Sequence, residues 1–124
     1  VGRMRAVFDT NIIVDFLNGV NAAADELHRY DGLLISQITW MEVLVGCREG
    51  EQERIVRDFL ETFGVIPLDG EIAESAVVLR RHNRLKLPDA VILGTAECQQ
   101  ALLVTRDTKA FPSGSPGIRI PYQI

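Results

Sequence analysis

Cysteine is scarce in this chain. Cys47 and Cys98 are the only two, and neither has a Cys or His neighbour at metal-ligand spacing. Two thiols in a core-forming domain are no disulfide framework, and an all-oxygen chemistry is favoured over a zinc site. Buried free thiols in a reducing, cytoplasmic setting are the expectation. No apolar run reaches the roughly 18 residues of a membrane span, so no membrane role is expected. No signal-peptide pattern is present. The chain also lacks a glycine-rich phosphate loop with its lysine. It shows no internal repeat and no low-complexity tract. Positive charge is short as well: 13 basic against 17 acidic residues give a net charge of -4. Mild acidity disfavours non-specific nucleic-acid binding, which would then need a local cation or basic patch.

What remains is a chain for one core. It has 124 residues, 47% of them apolar, enough for a single domain. Residues 1–3 read as a leader, and the domain as 4–124. Short apolar runs at Arg5–Asp9, Leu33–Ile35, Val65–Leu68, Leu102–Thr105 and Ile118–Ile120 read as strands. Helical patterns fall at Thr10–Leu17, Ala22–Tyr30, Ser36–Val45, Glu49–Phe63, Asp69–His82 and Pro88–Cys98. Ser36 and Asp69 are N-caps, Gly46 a stop, and Pro88 fits a first turn. Pro67 makes its strand an edge or a strand end. Asp107–Phe111 is one helical turn at most, and residues 112–117 form a turn-rich loop. Strands alternating with helices predict an α/β domain with a short, mostly parallel central sheet of four to five strands covered on both faces.

Four acids interrupt these apolar segments: Asp9, Glu42, Asp89 and Asp107. Carboxylates are seldom buried without a partner. Each has a bland reading or a cost. Asp9 and Asp107 can cap helices, and Asp89 suits a helix's first turn. Glu42 lies on a helical face with Ile38 and Val45, read as core-facing, where a glutamate needs a reason. Taken together, the four suggest one acidic pocket for a hard cation such as Mg²⁺ or Mn²⁺. Thr10, Asn11 and Thr105 are supporting polar groups. The chemistry such a pocket serves is phosphodiester hydrolysis with a metal-activated water.

The segments resemble the PIN domain, and within it toxin ribonucleases of the VapC type. Phe8-Asp9-Thr10-Asn11 is similar to the family's opening strand and first acid. Glu42 in Ile38–Leu44, Asp89 in Leu85–Ile92 and Asp107 in Leu103–Phe111 are similar to the second, third and last. Lys109-Ala110-Phe111 departs from the pattern, which more often has an acid before the Phe. The resemblance implies a three-layer α/β/α PIN-like fold. It implies an endoribonuclease using one or two Mg²⁺ or Mn²⁺ ions, with Asp9, Glu42, Asp89 and Asp107 as catalytic and metal-binding residues. It also implies a homodimer and a small cognate antitoxin, with operator DNA reached only through that antitoxin.

Arg80, Arg81, His82, Arg84 and Lys86 form the one dense basic run, leading into Pro88-Asp89. Helix-end electrostatics explain Arg80 and Arg81. Arg84, Lys86 and Arg106 are the candidate RNA phosphate contacts. His82 is not favoured as a general base. Trp40 suits packing or a dimer face. Three rivals stand beside the toxin reading. They are a non-catalytic PIN-like interaction module, phosphoryl transfer through Asp9, and a housekeeping RNA or DNA nuclease of the same fold.

Overall fold

The computed structural model describes residues 4–112 and 114–124. The leader reading of residues 1–3, and Ser113 of the turn-rich loop, lie outside them. In chain order the elements are β1 (Arg5–Phe8), α1 (Thr10–Leu17), α2 (Asn21–Leu27), β2 (Gly32–Ser36), α3 (Gln37–Val45) and α4 (Glu51–Leu60). Then follow β3 (Gly64–Ile66), α5 (Gly70–His82), α6 (Leu87–Cys98), β4 (Leu102–Val104) and β5 (Ile118–Arg119).

The sheet order is β3-β2-β1-β4-β5, and every pairing is parallel. Side chains alternate across it, as strand geometry requires. Ala6 and Phe8 of β1, with Ile35 and Val104, enter one core with α1, α2, α3 and α4. Val7 and Leu103 enter a second core with α5 and α6. Helices therefore cover both faces, giving the expected three layers. Aromatics concentrate in the first core: Phe8 meets Tyr30 and Phe63 edge-on, and Phe16 stacks on Phe59 at 4.7 Å between centroids. In the second, Gly94 of α6 lets α5 approach closely. A Cβ there would lie 3.2 Å from Ser75 Oγ and 3.4 Å from the Ala76 nitrogen.

Local capping chemistry sets several boundaries. Ser36 Oγ accepts the Ile38 N–H at 3.1 Å, and Asp69 Oδ1 accepts the Ile72 N–H at 2.9 Å. The third strand ends before Pro67, earlier than its apolar run suggests. The Leu68 N–H instead donates to Gln37 Oε1 at 2.9 Å. The helix expected to run to Tyr30 ends at Leu27, and the one expected from Glu49 starts at Glu51 behind Gly50, whose φ is +95°. Both cysteines are half-buried free thiols rather than fully buried ones.

The chain leaves β1 to build β2 and β3 on one side, and returns to build β4 and β5 on the other. The strand order thus reverses between β1 and β4. In open parallel sheets the carboxyl edge at such a reversal is where a crevice forms. Asp9 follows β1 directly, and Thr105, Arg106 and Asp107 follow β4.

Candidate active site

Asp9 is the N-cap of α1 and is also buried, 5% exposed. Its Oδ1 accepts the Thr10 N–H at 2.7 Å. Its Oδ2 accepts the Thr105 hydroxyl at 2.7 Å and Asn11 Nδ2 at 3.3 Å. A carboxylate offers about four acceptor positions. Three are used, so one remains on Oδ1. The cap and the pocket readings of Asp9 are therefore compatible.

Thr105 ties the two sides of the crevice together. It is fully buried. While its proton goes to Asp9, its oxygen accepts the Asp107 N–H at 3.1 Å and Asn11 Nδ2 at 3.4 Å. A hydroxyl has one donor and two acceptor positions, and all are occupied. Asn11 Oδ1 in turn accepts the Arg106 N–H at 3.3 Å. The segment after β4 is thus pinned to the first turn of α1.

The other acids are more open. Asp89 and Asp107 are half-buried, and Glu42 is exposed. The expected core-facing stripe of Ile38, Glu42 and Val45 is not one. Thr39 and Val43 face inward, while Val45 is 87% exposed. Apolar residues surround α3, so its periodicity does not single out a face. Glu42 still joins the site, because the Thr10 hydroxyl donates to its Oε1 at 2.6 Å and pairs with the Thr39 hydroxyl at 3.0 Å. Asp107 Oδ1 accepts the N–H groups of Lys109 and Ala110, each at 3.1 Å. That capping role leaves Oδ2 for other partners. Asp89 stands in the first turn of α6.

Burial and neighbouring charge act on Asp9 and Asp89. Burial pushes Asp9 up to about 6, against the pull of the Thr105 and Thr10 hydrogen bonds, and the charges of Asp89 and Glu42 add to the rise. Asp89 is raised by burial first, then by Asp107 and Glu42, while Lys86 opposes the rise. Like charges so arranged disfavour the fully ionised state unless a cation compensates. The donor chemistry fits a hard divalent ion: only oxygens are offered, and free positions remain on Asp9, Glu42 and Asp107. Among the described residues, no three His, Cys, Asp or Glu side chains are gathered as a ready-made ion cage. The carboxylates are coupled through charge without being closed around a point.

Of the candidate phosphate contacts, Arg84 and Lys86 are exposed beside Asp89 and Asp107. Arg106 is engaged elsewhere. Its Nε and Nη2 donate to Asp15 Oδ2 and Oδ1 at 2.5 and 2.9 Å, and the Tyr122 hydroxyl donates to the same Oδ2 at 2.8 Å. These Arg106 bonds hold the Asp15 carboxyl below its ordinary value despite burial. Glu26 is a second buried acid that the sequence did not flag. It accepts Arg119 at 2.6 and 3.0 Å and the Tyr30 hydroxyl at 2.7 Å. Burial alone would raise Glu26, but Arg119 and Tyr30 outweigh it and leave it lowered. These partners lie 91 and 93 residues apart in the chain, so the local signals were Asp15 inside the apolar stripe of α1, and Arg29 three and Tyr30 four residues after Glu26.

The PIN domain family matches residues 6–113. Ribonuclease VapC10 of Mycobacterium tuberculosis is 36% identical over 112 residues, covering 84% of each chain. A chain from a toxin-antitoxin complex from Klebsiella pneumoniae superposes with a TM-score of 0.90 at 46% identity, covering 96% of this chain and 99% of that one. DNA-bound VapBC from Salmonella typhimurium gives 0.76 at 23% identity over 94% and 96% of the chains, a likeness of fold alone.

Proposed function

This chain belongs to the PIN-domain family, with homology to the VapC-type toxins, and on that premise we propose a divalent-metal-dependent endoribonuclease that serves as a toxin. The observation that carries the reading is geometric: at the sheet's reversal point Thr105 bonds both Asp9 and the Asp107 N–H, Thr10 bonds Glu42, and Asp89 and Asp107 line one cleft. Membership supports a nuclease, and these acids are its proposed place of action.

Asp9, Glu42, Asp89 and Asp107 are the residues that would hold one or two Mg²⁺ or Mn²⁺ ions. A bound ion supplies the positive charge that activates water and offsets charge on the phosphate oxygens. The chain's own contribution is placement. Thr105 and Asn11 keep Asp9 oriented, and Thr10 holds Glu42 toward it. Thr105 also carries Asp107, so the two sides of the crevice keep their spacing during turnover. The substrate is an RNA phosphodiester lying across the open side, where Glu42 is exposed and Asp89 and Asp107 are half-buried.

A cognate antitoxin is the proposed protein partner, since the Klebsiella pneumoniae relative is from a toxin-antitoxin complex. A homodimer is proposed with it. DNA contact would come through the antitoxin, consistent with the DNA-bound VapBC complex of the same fold. A cytoplasmic site of action fits the free thiols. Among the described residues no helix is long and apolar enough to cross a membrane.

The test is cleavage of a total-RNA pool by antitoxin-free protein, with Mn²⁺ or Mg²⁺ against EDTA, beside Asp9→Asn. Metal-dependent cleavage that the substitution abolishes supports the proposal. Folded protein that binds metal but cuts neither RNA nor DNA would make it a binding module instead.

A further inference from the structure

Beside the acids lies a cleft of about 280 Å³ lined by Arg84, Lys86, Asp89, Asp107, Lys109 and Ala110. Its lining carries two acids and three cations. The cationic side chains are unspent: none of the salt bridges among the described residues uses Arg84, Lys86 or Lys109, and all three are exposed. This sets them apart from Arg106 and Arg119, whose guanidinium groups are held two-pronged by buried acids.

Their placement is fixed by the acids' own elements. Lys86 is the N-cap residue of α6, and Asp89 stands in that helix's first turn. The Lys109 backbone N–H is held by Asp107 Oδ1. Arg84 precedes the same helix. Each acid therefore has a cation beside it in the chain that does not pair with it. Cations left unpaired beside a carboxylate pocket leave positive charge for a further anion. A cleft of this size has room for a phosphate and its sugar, and Asp89 and Asp107 are part of its lining.

We infer that Arg84, Lys86 and Lys109 form a subsite for a backbone phosphate of single-stranded RNA, neighbouring the phosphate cut at the acids. The inference rests on the endoribonuclease reading and deepens it. Lys109 is the addition that the sequence did not identify. The subsite fixes which side of the acids the uncut strand occupies. Arg106, tied to Asp15, takes no part.

The experiment titrates a short fluorescent mixed-sequence RNA in EDTA, which prevents cleavage, across a range of salt. The variants are Lys109→Gln, Lys86→Gln, Arg84→Gln and the triple. Arg54→Gln, an exposed change on α4 with the same loss of charge, is the control. Each contact removed flattens the slope of log affinity against log salt by about 0.7, and the triple flattens it by about 2. The control leaves it unchanged. With Mn²⁺, Lys109→Gln raises KM and kcat holds. A triple variant with the parent slope overturns the subsite, as does a control that loses as much as Lys109→Gln. A rise in Mn²⁺ affinity with no change in RNA slope also overturns it, by showing that the cations serve the acids alone. If the parent cleaves RNA while the slopes stay fixed, the subsite falls and the nuclease reading stands. If the parent binds RNA with the expected slopes but never cuts it, the nuclease reading falls and the phosphate site stands. A parent that binds no RNA overturns the subsite.

Discussion

Asp15 and Arg106 meet at two points, Nε to Oδ2 at 2.5 Å and Nη2 to Oδ1 at 2.9 Å, across 91 residues of chain. Asp15 lies one helical turn beyond Asn11, and Arg106 lies between Thr105 and Asp107. The pair clamps α1 to the segment that carries the last acid. Tyr122 adds a third bond to Asp15 from beyond β5, so the chain's end also braces the site.

Arg106→Gln therefore acts on the fold and on the placement of Asp107. It leaves a buried carboxylate with Tyr122 alone. Breaking a buried pair costs about 3–5 kcal/mol, and the one-third exposure of Arg106 lowers the expected loss to about 2 kcal/mol. Urea denaturation measures this loss. RNA affinity in EDTA should keep its salt dependence, whereas a phosphate-gripping arginine would flatten it by about 0.7.

Asp9 has the opposite energetics. Its carboxyl is raised in the folded state, from 3.8 to about 6. Such a group contributes stability that is fully present below the unfolded value and is lost as pH rises through the folded one. Metal-free protein should lose about 2–3 kcal/mol from this group between roughly pH 4 and pH 6. Asp9→Asn does not titrate. Relative to the parent it should gain that stability in EDTA at neutral pH, with the gain fading below about pH 4. Asp15 and Glu26 are lowered and work the other way: their stability is present above the unfolded value and lost as acid protonates them. Denaturation of both proteins across pH, taken as a difference, isolates Asp9. A difference that does not change with pH would contradict the strained carboxylate.

Thr105→Val removes a donor to Asp9 and an acceptor for the Asp107 N–H and Asn11. The stability cost should be about 1–3 kcal/mol, the range for leaving buried polar groups unpaired. Without that donor the Asp9 carboxyl rises further, so the acid limb of the cleavage pH profile moves alkaline. Thr105→Ser keeps the hydroxyl and should restore the profile even where the missing methyl lowers the melting temperature. The profile and the melting curve together separate these effects.

The strand-end acids were legible because their signals are local. An apolar run that stops at Asp9 or before Asp107 marks the carboxyl edge of a strand, and the parallel topology puts such edges together. Ser36 and Asp69 were readable as caps for the same reason. Glu42 was identified through a helical face of which only Ile38 packs inward, Glu42 and Val45 being exposed. What places it is the Thr10 hydroxyl, and no spacing rule reveals a side-chain bond across 32 residues. Arg106 looked free because its partner is distant in sequence. Asp15 and Glu26, more deeply buried than Glu42, Asp89 or Asp107, went unread because their compensating arginines lie at the other end of the chain. Lys109 sat beside Asp107 in plain view, but only the folded cleft sets it with Lys86 and Arg84.

The most direct measurement is the chemistry of the RNA ends. A defined RNA is cut by the antitoxin-free protein with Mn²⁺, and the products are assigned by mass. Water activated at the acidic pocket gives a 5′-monophosphate on one side and a 3′-hydroxyl on the other, and EDTA stops the reaction. A 2′,3′-cyclic phosphate, or cutting that survives both EDTA and Asp9→Asn, would mean that the RNA's own 2′-hydroxyl or a contaminating enzyme does the work, and the acidic pocket would lose its assigned role.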